Sequence, residues 1–266
     1  MSLAEKRLFL FDIDGTLALD STLFDGSREL IAYIDRIGGK AVYITNNSTK
    51  SNADYIEKFA KWGFETDESN FITAGFAATN WLKENFPTDK IFVVGTASFV
   101  KALRDAGLTV TETPDEDVKC VLIGFDNELT YGKLFDACYL LQTRESLTFA
   151  ATNPDLVCPT AFGMVPDCGS ICQMVVNAVK REPIFLGKPN RSIVDYCIEH
   201  TGFTPEQTIV VGDRLYTDIA CGIAAGVDTC AVFTGEVQAE DLIDTEYRPT
   251  YAYKDVKELL AAILEQ

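Results

Sequence analysis

At 266 residues, 47% of them hydrophobic, the chain can bury a sizeable core as one large domain or two modest ones. Its formal net charge of -17 sets like charge against phosphate backbones and anionic membranes, which disfavours nucleic acid polymers and membrane surfaces as partners. The acids are spread along the chain, not gathered into a tail, so most of them read as a solvated surface.

An apolar run of strand type at 7–12 is followed by an amphipathic helix pattern at 27–37 and a second strand run at 40–45. That is a β-α-β unit, whose strands must be parallel. Between 14 and 26 the chain is too short for a helix and alternates around Leu17, Leu19, Leu23 and Phe24, which suits a turn and a small hairpin. Helix signals at 51–62, 75–85, 97–105 and 131–142 interleave with buried-strand signals at 91–95, 119–125 and 147–152, so the middle of the chain is α/β again. A helix at about 170–180 leads into the loop 183–190 and a helix at 192–201. A strand at 207–211, a helix at 217–225, a strand at 229–233 and a final helix at 255–265 complete the pattern. No repeat of fixed period or low-complexity linker appears, and domain boundaries are expected at ordinary loops near 73–75 and 181–183.

The short hydrophobic run at 8–11 ends in acids, so neither a signal peptide nor a membrane span is read at the N-terminus, and a cytoplasmic location is expected. Eight cysteines without a C-x-x-C pair, mostly inside apolar segments, read as buried thiols in a reducing compartment. Cys168 and Cys172 have helix-face spacing, yet the lone histidine, His200, leaves no obvious second pair of ligands for zinc.

The strongest local signal is Asp12 and Asp14, two acids at alternate positions where an apolar strand stops, followed by Gly15 and Thr16. Alone, Asp14-Gly15 could be a turn dipeptide and Asp12 a strand-end cap. A second buried run, Ile209-Val210-Val211-Gly212-Asp213, also ends in an acid and is followed by Asp218. In open α/β sheets the ligand crevice lies outside the strand C-termini, so Asp12, Asp213 and Thr45 converge if their strands are neighbours. Hard oxygen ligands at such a place suit Mg²⁺. Thr45 and Asn46 offer donors that either hold phosphate oxygens or cap the following helix. Lys188 stands between Gly187 and Pro189, which fix the local backbone around a cation. Acids, a hydroxyl and a cation on strand ends together describe a phosphoryl-transfer site.

In that order, Asp12-Ile13-Asp14-Gly15-Thr16, Thr45-Asn46, Lys188 and Gly212-Asp213 resemble the four motifs of the haloacid dehalogenase superfamily of phosphohydrolases. The segments Ile44-Thr45-Asn46-Asn47-Ser48, Gly187-Lys188-Pro189-Asn190 and the run from Val211 to Ile219 look like its NagD and 4-nitrophenylphosphatase branch. The resemblance implies a doubly wound, Rossmann-like α/β core over 1–75 and 182–266 with a smaller α/β cap inserted at 76–181. It implies Asp12 as nucleophile, Asp14 as general acid and base, and Mg²⁺ held by Asp12, Asp14 through its backbone carbonyl, and Asp213, with Asp218 in support. Thr45, Asn46 and Lys188 would hold the phosphate, and a homodimer through the cap is implied as well. The substrates implied are small phosphorylated metabolites, such as sugar, polyol or nucleotide monophosphates, together with aryl phosphates such as 4-nitrophenyl phosphate.

Asp14 must be protonated to donate to a leaving oxygen, and the nearby Asp12 charge with partial burial favours that form. Substrate selection is expected from the cap loops 153–155 and 167–170. Likeness to a T-x-P-D segment points to Asn153 and Asp155, and an acid at 155 favours a hydroxyl-bearing leaving group such as a sugar or polyol.

Competing readings are weaker. Cys138 to Arg144 spells C-x₅-R, but without glycine and on an apolar helix pattern it cannot form a backbone cradle for phosphate. One histidine disfavours histidine phosphatases and Ser-His-Asp hydrolases, and there is no Walker-type G-x-x-x-x-G-K-[ST]. A phosphomutase of the same superfamily shares the Asp pair, and a phospho-accepting receiver module shares acids, Thr, Lys and Mg²⁺. The large insertion and the acid after Lys188 speak against the receiver.

Overall fold

The apolar run near the N-terminus becomes the strand Leu8–Phe11, all four of whose side chains are buried, because it lies mid-sheet with helices on both faces. In the computed structural model, which describes residues 2–265, it pairs in parallel with Thr208–Gly212 on one side and Lys40–Thr45 on the other. Phe11 stands opposite Val211 and Tyr43, so the residues that follow these strands leave the sheet at one edge.

The six strands of this sheet run in the order Tyr251–Tyr253, Asp228–Val232, Thr208–Gly212, Leu8–Phe11, Lys40–Thr45, Phe71–Thr73. From the central strand the chain builds one edge, leaves, and returns to build the other from Thr208 onward. The order therefore reverses between Leu8–Phe11 and Thr208–Gly212, and that switch point, outside the strand C-termini, is where a crevice opens. The period-2 alternation of each strand sorts its side chains. Phe9, Phe11, Tyr43, Ile209 and Val211 share a cluster with Leu30, Ile34, Leu259 and Ile263 of the helices Ser27–Arg36 and Val256–Leu264. Leu8, Leu10, Val42, Ile44 and Val210 meet the helices Ser192–Thr201 and Ala220–Ala225 on the other face.

A second, all-parallel sheet orders Ile184–Phe185, Thr148–Ala151, Val118–Ile123, Lys90–Val94 and Thr109–Thr111. The helices Ala74–Asn85 and Ala97–Asp105 contribute to the cluster on one of its faces, Tyr131–Thr143 and Cys168–Val179 to that on the other. The α/β reading holds throughout. Ile184–Phe185 pairs with Thr148–Ala151, so the second sheet takes a strand from beyond residue 181.

Several short elements gave no sequence signal: the strands Phe71–Thr73, Thr109–Thr111, Ile184–Phe185 and Tyr251–Tyr253, and the hairpin Val157–Thr160 with Gly163–Pro166. Two to four residues cannot establish a period, and tertiary pairing decides them. The helix expected at 217–225 opens instead with a π-type turn, Leu215–Ile219, before Ala220–Ala225. That turn sets Asp218 against Gly212, where a Cβ would lie 2.3 Å from the Asp218 Cβ, so glycine is required there. The expected small hairpin is present, with Ala18–Leu19 paired to Thr22–Leu23. All eight cysteines are free thiols, and no helix among the described residues is long and apolar enough to cross a membrane.

Candidate active site

Asp12 follows the central strand and Asp213 follows its neighbour, and the pairing of those strands brings the two carboxyls together. Asp218 joins them from the π-type turn, and one oxygen from each of the three buried acids lies within 4.8 Å of the others. Lys188 enters from the loop after Ile184–Phe185. Its Nζ donates to Asp12 Oδ1 at 2.7 Å, to Asp218 Oδ1 at 2.6 Å and to the Ile44 carbonyl at 3.0 Å.

Burial alone would push Lys188 toward its neutral form, but the charges of Asp12 and Asp218 outweigh it and hold the amine protonated. Burial likewise pushes Asp12 well above the usual carboxylate range against the pull of Lys188, and Asp218 and Asp213 add to the rise. Asp213 is pushed up to about 6, by burial first and by Asp218 second. Ionised, three carboxylates around one ammonium leave a surplus of two negative charges (three minus one), matching a divalent cation.

The backbone makes room for this cluster. A Cβ at Gly15 would lie 2.5 Å from Asp213 Oδ2, and one at Gly235 would lie 1.9 Å from it. Asp213 is held by Thr16 Oγ1 at 3.3 Å and by the Glu236 amide at 2.8 Å. Thr45 is buried, and its hydroxyl accepts from the Asn47 amide at 3.1 Å. The Asn46 side chain donates to the Lys188 carbonyl at 3.1 Å and accepts from the Lys188 amide at 2.9 Å. Its amide therefore fixes the loop that delivers the ammonium.

Asp155, Cys158, Pro159 and Asp167 come from the segment of the second sheet and line one cavity with Asp12, Asp14, Thr45, Asn46, Lys188 and Asp218. Little free space is left between these side chains, about 20 Å³ for the centres of water-sized molecules. Arg214 ties the two sides together: Nη1 lies 2.7 Å from Asp155 Oδ2 and Nη2 donates to the Val157 carbonyl at 2.9 Å.

The expected site residues thus converge with one exception. Asn153 does not line the cavity; it is fully buried, donates to the Asn46 carbonyl at 2.6 Å and accepts from the Asp155 amide at 3.1 Å. It positions its neighbours. Asp14 lines the cavity and meets Lys58 Nζ at 3.2 Å, a cation on the helix Asn52–Lys61 that the sequence did not announce. Arg214 was also unforeseen, although it stands inside the Gly212-to-Ile219 motif, because its partner Asp155 lies in a distant segment.

Asp167 is pushed up to about 7, by burial first and by the Asp155 charge second. In the unfolded chain it ionises near pH 4. Between pH 4 and 7 the folded chain therefore holds a proton that the unfolded chain has lost, and Asp167's contribution to stability falls as pH rises through that window. Asp167→Asn keeps an acceptor for the Cys168 amide and removes the titration. The variant is expected to gain about 3 kcal/mol over the native chain at pH 8 relative to pH 4.5, or on the order of 10 °C in melting temperature. Thermal unfolding at the two pH values checks it, and an equal difference at both would refute it.

Family models described as haloacid dehalogenase-like hydrolase and HAD-hydrolase-like match residues 9–109 and 185–259, together more than half of the chain. The acid sugar phosphatase of Staphylococcus aureus is 33% identical over 259 residues, covering 97% of this chain and 98% of that relative. A 4-nitrophenylphosphatase from Thermotoga maritima shares the structure with a TM-score of 0.90 at 35% identity, covering 98% of each chain. A glycerol phosphate phosphatase from Mycobacterium tuberculosis, solved in complex with magnesium, gives 0.89 at 25% identity over 97% of this chain and 78% of that one. Such similarity, running nearly end to end across motifs whose side chains meet at one sheet edge, identifies the lineage: the chain belongs to the haloacid dehalogenase-like hydrolases, as a phosphoric monoester hydrolase of the NagD and 4-nitrophenylphosphatase branch.

Proposed function

We propose that the protein hydrolyses small phosphorylated metabolites, with Mg²⁺, through a phospho-aspartate on Asp12. The observation that carries this reading is the cluster of Asp12, Asp213 and Asp218 around Lys188 at the switch point of the sheet. The donor set fits the ion: hard carboxylate oxygens with a surplus of two negative charges, cradled where glycines at 15 and 235 leave space. Asp12, Asp213 and the Asp14 backbone carbonyl would hold Mg²⁺, with Asp218 behind them. When bound, the ion neutralises charge on the transferring phosphoryl group.

The protein's own residues supply the rest. Lys188, with Thr45 and Asn46, receives the phosphate and offsets the repulsion between its charge and the Asp12 carboxylate. An Asp12 oxygen attacks phosphorus in line, the P–O bond to the leaving group breaks, and Asp14 gives its proton to the departing oxygen. Asp14 then takes a proton from the water that hydrolyses the phospho-aspartate, which returns Asp12 and releases phosphate. On this reading residues 1–75 and the chain beyond Ile184–Phe185 form the core, and the segment between, carried past 181 by that strand of the second sheet, forms a cap whose Asp155, Cys158 and Asp167 close over the site.

Sugar and polyol phosphates are the favoured substrates, supported by the acid sugar phosphatase and glycerol phosphate phosphatase among the relatives; nucleotide monophosphates and aryl phosphates belong to the same panel. The test is phosphate release from that panel with Mg²⁺ and with a chelator. No release under either condition ends the reading, and equal release under both ends the Mg²⁺ part. A homodimer through the cap is also proposed, because Tyr131, Phe135 and Tyr139 stand four residues apart on the helix Tyr131–Thr143 and are all exposed. Sedimentation as a monomer at micromolar concentration would remove it.

A further inference from the structure

Two buried atoms in groups lining the cavity make no hydrogen bond among the described residues. Asp155 is 3% exposed. Arg214 takes its Oδ2, while its buried Oδ1 accepts no hydrogen bond among the described residues. The Asn46 amide lies near enough to steady this carboxylate, but without hydrogen-bond geometry. Arg214 is 8% exposed and spends its two terminal nitrogens on Asp155 and on the Val157 carbonyl. Its buried Nε stands 3.1 Å from Glu236 Oε2, at an angle that makes no hydrogen bond. A buried acceptor and a buried donor without a hydrogen bond are each costly, and the mechanism above uses neither. Both residues line the same cavity as Asp12.

We propose that Asp155 and Arg214 together read hydroxyls of the leaving group: Asp155 Oδ1 accepts from them, Arg214 Nε donates to them, and the ion pair between the two holds both in place. This rests on the phosphatase reading above. Hydroxyl is the group that donates and accepts from one atom; an ammonium has no acceptor for Nε, and a carboxylate has no donor for Oδ1 and would face the Asp155 charge. The pair therefore selects monophosphates of neutral polyhydroxy compounds over esters without a free hydroxyl and over phosphorylated acids. Arg214 directly follows Asp213 and reaches across to Asp155, so the group that recognises the leaving group is anchored beside the carboxylate cluster.

The test compares kcat/KM for glycerol 3-phosphate and for propyl phosphate, a leaving group of the same carbon chain without the free hydroxyls. The native chain is expected to prefer glycerol 3-phosphate by about 10- to 100-fold, the effect of leaving buried polar groups unpaired. In Asp155→Ala the preference should fall to within about threefold. Because that change strands a buried guanidinium and can cost folding, the double variant Asp155→Leu with Arg214→Met, which removes both charges, carries the same expectation. Efficient hydrolysis of both esters by the native chain with no preference, or a preference that survives in the double variant, overturns the hydroxyl reading alone. Failure to release phosphate from either ester and from 4-nitrophenyl phosphate, with Mg²⁺ present, overturns the phosphatase reading and this one with it.

Discussion

Asp12→Asn is expected to lower phosphate release by at least about a thousandfold in kcat, with all phosphorylated substrates affected alike, because the proposed nucleophile is lost. The amide has the same shape, and its oxygen can still accept from Lys188 Nζ, now 2.7 Å from Asp12 Oδ1, so the chain should fold. What disappears is an anionic oxygen able to form an acyl phosphate. The measurement is steady-state phosphate release for both chains, with unfolding curves to show that the variant is native. A variant that keeps native turnover would place the nucleophile elsewhere. The same assay separates the rivals, since a phosphomutase returns the phosphoryl group to a hydroxyl and a receiver holds it once, whereas a phosphatase releases many equivalents of free phosphate per chain.

The pieces of this site that the sequence disclosed share one property: each stands at the end of a strand long enough, or beside turn residues distinctive enough, to be read locally. Asp12 and Asp213 end short apolar runs that read as buried strands, and the pairing of those strands brings the two acids together. Lys188 was legible through its flanking glycine and proline. The rest depended on contacts between distant segments. Lys58 stands at helical spacing with Tyr55 and Trp62, where a lysine can simply lay its stem along apolar neighbours, and only the packing of that helix brings its ammonium to Asp14. Asn153 was expected to face the substrate because it sits in a turn-rich loop, but its amide is spent on the Asn46 carbonyl. Arg214 and Asp155 belong to different sheets' segments, and no spacing rule links them.

These two classes of residue also divide the chemistry. In the proposed mechanism the locally legible groups carry charge to the reacting phosphate, where any phosphomonoester presents the same problem. Arg214, visible only through its contact with Asp155 in another segment, is the group proposed to face the leaving group, which differs from substrate to substrate. On that proposal specificity rests on a long-range contact, so a single sequence discloses the reaction class before the substrate.

Lys188→Met is expected to damage both activity and stability, and the pattern of the two losses tests the electrostatic account of the site. Methionine matches the length of the lysine stem and fills a slot that is 2% exposed, so packing changes little. The ammonium, however, bonds Asp12, Asp218 and the Ile44 carbonyl, and its removal leaves two buried acids facing each other. Removing one member of a buried ion pair costs about 3–5 kcal/mol, or on the order of 10 °C in melting temperature for a chain of this size. Loss of the cation proposed to meet the phosphate should lower kcat/KM by about 100-fold or more. The surplus around the three acids grows from two negative charges to three, counting Asp12, Asp213 and Asp218 as ionised with the ammonium gone. Mg²⁺ should therefore raise the melting temperature of the variant by more than it raises that of the native chain, while leaving most of the activity unrestored. Lys188→Arg, which returns the charge but not the compact three-donor head, should recover stability in part and turnover hardly at all. Thermal unfolding with and without Mg²⁺, set beside kcat/KM for the three chains, decides the matter, and a Lys188→Met protein that melts like the native chain and gains nothing extra from Mg²⁺ would remove the lysine from the charge balance of the site.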